Sequence, residues 1–154
     1  MSFIDCEILG VSGVVSDFKK YGSEAEKAID IAVKKTGLAV ESDAKKRLKG
    51  MFGSAKHWIS GRLASSIYNR KIQNGERIVG TDVKYAPYIE FGTGSVVFQN
   101  FDFDADARRI ASQYKGSGVR KVNIKGDSFM NWAAVNQQNK NVERIKEELN
   151  KINR

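Results

Sequence analysis

The sequence predicts an α+β fold: a small antiparallel sheet containing a β-hairpin, packed against one long helix in the N-terminal half and a second helix at the C-terminus. Three observations predict it. Apolar residues recur at helical spacing from Ala25 to Leu48. Asn74-Gly75 stands between two short strand-like runs, Ile67 to Ile72 and Arg77 to Thr81. A second helical period closes the chain, from Trp132 to Ile152. At 154 residues the chain has the length of a single domain, 1–154.

Residues 3–10 read as a short strand ending at Gly10. Val11, Val14, Val15 and Phe18 then keep helical spacing as far as Tyr21, and Gly22 breaks it. Ser23-Glu24-Ala25-Glu26 has the form of a capping box. The Ser23 hydroxyl can accept from the Glu26 amide while the Glu26 carboxylate reaches back. Ala25, Ala28, Ile29, Ala32, Val33, Ala39, Val40, Ala44 and Leu48 form the apolar stripe of the helix that follows. Lys45, Lys46, Arg47 and Lys49 fill its predicted last turn, where cations complement the helix dipole, and Gly50 is the expected stop. Thr36-Gly37 is a candidate bend. Such a helix is ~40 Å long at 1.5 Å per residue. A globule of this size has a radius of gyration of only ~15 Å, so the helix should cross the whole subunit.

Residues 50–60 look like a loop. Ile67 to Ile72 and Arg77 to Thr81 form the expected hairpin, in which Asn-Gly serves because both turn positions favour positive φ. Tyr85 to Thr93 predicts a short helix. The only proline, Pro87, falls in its first turn, and Gly92 closes it. Phe101, Phe103 and Ala105 alternate with Asp102, Asp104 and Asp106 as in a half-buried strand. Ala107 to Tyr114 suggest a helical turn or two, Gly116-Ser117-Gly118 a flexible link, and Val119 to Lys125 a basic strand. In the closing helix, Trp132, Val135, Val142, Ile145, Leu149 and Ile152 keep the apolar spacing, while Asn136 to Asn141 form a polar, weakly helical interruption.

Composition narrows the function. The single cysteine, Cys6, precludes an internal disulfide, and the single histidine, His57, precludes a His-rich metal site. No cofactor is expected. Asp102, Asp104 and Asp106 have the spacing that opens a calcium loop. The sixth and twelfth positions, which require Gly and Glu, hold Ala107 and Gln113. No phosphate-binding glycine loop occurs. Glu90 with Asp82, or Cys6 with His57, are the only pairings that suggest catalysis, and neither spacing demands it. The protein is therefore expected not to be an enzyme. No apolar run approaches the ~18–20 residues of a membrane span. The N-terminus lacks the basic start of a signal peptide. The net charge of +8 favours acidic partners or polyanions. Lys45, Lys46, Arg47, Lys49, Arg120, Lys121 and Lys125 are the candidate contacts. No aromatics interleave with them as a base-stacking platform would require.

The order of several motifs is more informative. Ile59-Ser60-Gly61-Arg62-Leu63-Ala64-Ser65-Ser66-Ile67 comes first, followed by Val79-Gly80-Thr81. Then comes Tyr85-Ala86-Pro87-Tyr88-Ile89-Glu90-Phe91-Gly92-Thr93. This order resembles the tail-completion, or minor neck, family of long-tailed double-stranded-DNA bacteriophages. Phe129-Met130-Asn131-Trp132-Ala133 is similar to the family's start of the closing helix. The resemblance covers roughly residues 6–93 and 127–152. It departs from the family in lacking a proline before Ser60-Gly61 and another before Phe129, and in a longer segment at 94–126, expected to be an extended arm. The resemblance implies a virion structural protein that is made in the host cytoplasm and assembles as a homo-oligomeric ring at the head–tail junction. A hexamer is favoured over a dodecamer. Its neighbours would be a connector or stopper protein and a tail terminator or tube protein, with DNA passing through the lumen. Ser60, Gly61, Leu63, Ser66, Ile67, Gly80, Thr81, Tyr85, Ala86, Pro87, Tyr88, Glu90, Phe91, Gly92 and Thr93 carry the motifs, and would shape the fold and the subunit contact. The rival readings are a basic DNA-binding module and a small hydrolase or nuclease acting through Glu90 or His57.

Overall fold

A computed structural model describes residues 4–7, 22–52, 57–93, 105–113 and 125–152. The fold is α+β. Its elements, in chain order, are β1 (Ile4–Glu7), α1 (Ser23–Phe52), α2 (His57–Ser66), β2 (Tyr68–Gln73), β3 (Glu76–Thr81), α3 (Ala86–Phe91), α4 (Ala105–Ser112) and α5 (Phe129–Asn150). The three strands form one antiparallel sheet in the order β1-β3-β2. Val79 lies opposite Cys6 on one side and Asn69 on the other.

Helix α1 is the strut of the molecule, ~45 Å long over its 30 residues. The alanine-rich stripe is buried as expected, Ala39 alone being half-buried. Its C-terminal half, with Val40, Ala44 and Leu48, packs into a core with Leu63, Ala64 and Ile67 of the α2 segment, Val79 of β3 and Phe129, Met130 and Ala133 of α5. Its N-terminal half forms a second, smaller core in which Ile29, Ala32 and Val33 meet Ile145 and Leu149. The partners run in opposite senses along the two helices, so α1 and α5 are antiparallel.

Between the two cores the α1–α5 seam is polar. Asn141 is buried and its Oδ1 accepts from the Thr36 hydroxyl at 2.8 Å. Arg144 donates to the same hydroxyl at 3.2 Å and to Gln137 Oε1 at 2.8 Å. Gln137 and Asn136 both donate to the Asp43 carboxylate. At the far end Glu148 takes Lys35 and Lys151, each at 2.6 Å, and these two ammonium groups hold its carboxyl below the usual glutamate value.

Several expectations are corrected by these contacts. Residues 136–141 do not interrupt the closing helix, and Asn136, Gln137 and Asn141 find partners on α1. The buried face of α5 is Phe129, Met130, Ala133, Gln137, Asn141, Ile145 and Glu148. Trp132, Val135 and Val142, read from spacing as the apolar stripe, are 37%, 60% and 52% exposed. Gly50 does not stop α1, which runs two residues further, and residues 57–60 are helix rather than loop. The basic cluster therefore lies one turn earlier, with Lys49 alone in the last turn. Thr36-Gly37, the candidate bend, lies within the single helix α1. A Cβ on Gly37 would stand 2.7 Å from Asn69 Nδ2, so the glycine is a seat for the β2 side chain that crosses the helix. The hairpin turn is also not the expected form. Gly75 takes φ 76° while Asn74 does not enter the positive region, and β2 shifts register between Lys71 and Gln73. Asp30 holds this end of the hairpin onto α1 by accepting from Lys71 and the Gly75 amide, at 2.9 and 3.2 Å. Ala105 and Asp106 begin helix α4 and do not extend a strand. The helix expected at 11–21, Asp102, Asp104, the glycine link at 116–118, and Arg120 and Lys121 lie outside the described residues.

Candidate functional site

Of the three motif segments, the first two are hydrogen-bonded to each other and the third to the closing helix, where it forms a joint, and each step follows from local chemistry. Helix α2 ends at Ser66, whose hydroxyl donates to the Leu63 carbonyl at 2.7 Å. With that proton committed, the 2.6 Å contact between Ser66 and Thr81 hydroxyls must be donated by Thr81. The Thr81 oxygen in turn accepts the Val83 amide at 3.3 Å. Thr81 is fully buried, so this chain of hydroxyls satisfies groups that would otherwise be costly inside the molecule. Leu63 and Ile67 sit in the core on either side of it. The Ser-Gly-x-Leu-x-x-Ser-Ile and Val-Gly-Thr motifs are thus one structural unit.

The aromatic motif forms α3. Tyr85 precedes the helix, Ala86 and Pro87 open it fully buried, and Gly92 ends it with φ 79°, its amide donating to the Tyr88 carbonyl. Phe91 is buried and Tyr85 and Ile89 lean on the main core. Tyr88, by contrast, is 43% exposed, so the three aromatics do not share one environment. Thr93 is half-buried at the end of the segment and Gly80 is buried within the sheet.

Glu90 is the centre of the joint. It is 2% exposed, and its carboxylate accepts the amides of Met130 and Asn131, both at 2.9 Å. These are orphan N–H groups in the first turn of α5. The local cap residue, Ser128, does not serve them. It takes the left-handed conformation at φ 47° and turns its amide and hydroxyl to the Glu90 carbonyl, at 3.0 and 3.3 Å. The Asp127 amide donates to the Ile89 carbonyl at 2.8 Å, and Gly92 and Lys125 form a bridge. The two backbones cross so closely that a Cβ on Gly126 would lie 2.5 Å from the Phe91 carbonyl carbon.

Arg47 seals this joint from the α1 side. Its guanidinium grips the Asp127 carboxylate at 3.0 and 3.2 Å and the Asp127 carbonyl at 3.1 Å. It also lies 4.8 Å from the Trp132 ring centroid. Burial drives the Glu90 carboxyl up, to about 7. The two amides oppose this, the neighbouring Asp127 charge adds to it, and Arg47 offsets part of it.

The expected polyanion contacts divide. Arg47 is turned inward and is part of the joint. Lys45 pairs with Glu41 on its own helix, while Lys46, Lys49 and Lys125 are exposed. Asp82 does not join Glu90. It faces Arg70 at 3.6 Å. The side chains of Ser60 and His57 lie outside the described residues. Gly61 lies inside helix α2, exposed, and a Cβ added there would meet nothing within 4 Å. Sequence reasoning missed Arg47 as part of this joint, and missed Gly126, Asp127 and Ser128 as site residues. The signal available for the last three was Asp127-Ser128, residue types favoured just ahead of a helix, standing before Phe129. No protein-family model matches this chain, and no curated protein and no solved structure matches it.

Proposed function

We propose that this protein is a non-catalytic structural subunit that assembles as a closed ring at the head–tail junction of a long-tailed bacteriophage, with a hexamer favoured and a lumen for DNA. One observation supports the reading above others. Among the residues carrying the family resemblance, Ser66 is hydrogen-bonded to Thr81 and Glu90 to the first amides of α5. Glu90, the carboxylate a hydrolase would need, is buried and committed to two backbone amides. A joint of this kind suits a rigid subunit that must repeat one geometry around an axis. Its partners would be a connector or stopper above it and a tail terminator or tube protein below.

Native mass measurement of the full chain, alone and with its tail partners, tests the proposal. A discrete closed oligomer, and its placement at the collar in images of intact particles, is the expected result. A species that stays monomeric with every tail component present overturns it. The DNA-binding alternative draws on the outward lysines of α1, among them Lys46 and Lys49. It predicts duplex affinity that falls steeply with salt. The ring reading predicts weak binding by the isolated subunit.

A further inference from the structure

The sheet has two outer strands of opposite charge. β1 carries Asp5 and Glu7, and β2 carries Arg70 and Lys71. Among the described residues each pairs with β3 alone, so each keeps one edge without a strand beside it. Both are antiparallel to β3 and therefore run in the same direction.

We propose that β2 of one copy pairs in parallel with β1 of the next, so that the sheets join end to end around the ring. The inference rests on the ring assembly proposed above and names its contact. Direction supports it first. Rotation about a ring axis preserves strand direction along that axis, and the outer strands of this sheet already share one direction. Charge supports it second. Residues 70–73 are exposed, and an exposed edge invites any strand to pair. Arg70 and Lys71 already face Asp82 and Asp30 within the subunit, so charge acts as a bias. Pairing β2 with its own copy would still bring these cations together, and pairing β1 with itself would bring Asp5 and Glu7 together. Like charges across a strand pair are destabilising and opposite charges are favourable. The charges therefore disfavour the two symmetric dimers and favour the head-to-tail junction. Only that junction leaves one donor edge and one acceptor edge free on every growing assembly, as a closed ring requires.

The single cysteine provides the test, because Cys6 lies on β1. Adjacent strands stand about 4.8 Å apart, within the roughly 4.4–6.8 Å that a disulfide spans between Cα atoms. In the full chain, Ile72→Cys and Gln73→Cys are made singly, in the wild-type and Cys6→Ser backgrounds, and oxidised gently in the assembled state. The expected result is a ladder in non-reducing gels, climbing from dimer to the full ring number with at least one of the two variants. It collapses on reduction and is missing in Cys6→Ser. Dimers that persist in Cys6→Ser show symmetric β2 pairing and overturn the proposal. Rings seen by native mass with no ladder from either variant overturn the junction and leave the ring reading standing. No ring and no ladder remove both. As a second measure, Asp5→Lys with Glu7→Lys should abolish assembly without changing the melting curve, and adding Arg70→Glu should restore at least part of it. Assembly unaffected by the charge reversal also overturns the proposal.

Discussion

Glu90 makes the joint responsive to pH. A carboxyl whose folded value, about 7, lies above its unfolded value binds its proton more tightly when folded. Its contribution is complete below the ordinary carboxylate range and is lost as pH rises through about 7. The difference amounts to about 3 kcal/mol. Melting temperature should therefore fall from about pH 4.5 to about pH 7.5, and Glu90→Gln should flatten that fall. A profile unchanged by the substitution would assign the dependence elsewhere. Gly126 and Gly61 form a contrasting pair. Gly126→Ala drives a methyl into the α3 backbone and should cost about 3 kcal/mol, the upper end for overpacking, in denaturant unfolding. Gly61→Ala meets nothing and removes a helix-interior glycine, so it should stabilise the subunit by about 0.5–1 kcal/mol. If that same variant fails to assemble, the glycine is there for close approach of a neighbouring subunit.

Among the elements, α1 and α5 hold two small apolar cores apart with a belt of hydrogen bonds. Thr36→Val removes the hydroxyl that serves both Asn141 and Arg144 and leaves buried polar groups without it. It should destabilise by about 1–3 kcal/mol, read from the chemical-denaturation midpoint. The belt also explains what sequence alone reveals and what it hides. The stripe of α1 is legible because Ala, Ile, Val and Leu at helical spacing meet apolar partners wherever the helix packs. The hairpin and the Pro87 helix are legible because turn residues act locally. The face of α5 is not, because Gln137 and Asn141 become interior residues only when Asp43 and Thr36 lie opposite, and Trp132 reads as core until Arg47 stacks on it at the surface. The full length of α1 is hidden for a related reason. Gly50 is exposed with open space around it, and a helix passes through such a glycine when flanking turns are anchored in a core. Of the candidate site, the motif residues themselves are legible. The partners that give Glu90 its meaning lie 38 to 41 residues further along the chain, and Arg47 reaches Asp127 across 80.

For the molecule as a whole, a net charge of +8 makes copies repel one another at long range, and salt screens that repulsion. On the proposed ring assembly, the yield of oligomer should accordingly rise from low salt to about 0.15 M, followed by native mass or light scattering. It should fall again in strong salt as the opposite charges at the junction are screened. A yield insensitive to salt throughout would point to a purely apolar contact. The borrowed cap on α5 carries one more consequence. Helices in proteins draw most of their stability from tertiary packing, and here the acceptors for the first amides of the 22-residue α5 are supplied from α3. Cut free as a peptide, residues 125–154 should show the circular dichroism of a coil. Mixed with the remaining chain, the peptide should regain its helix as the two fragments bind. During synthesis the later segment would thus take its shape from the earlier one, and the earlier one would stay half-formed until it arrived.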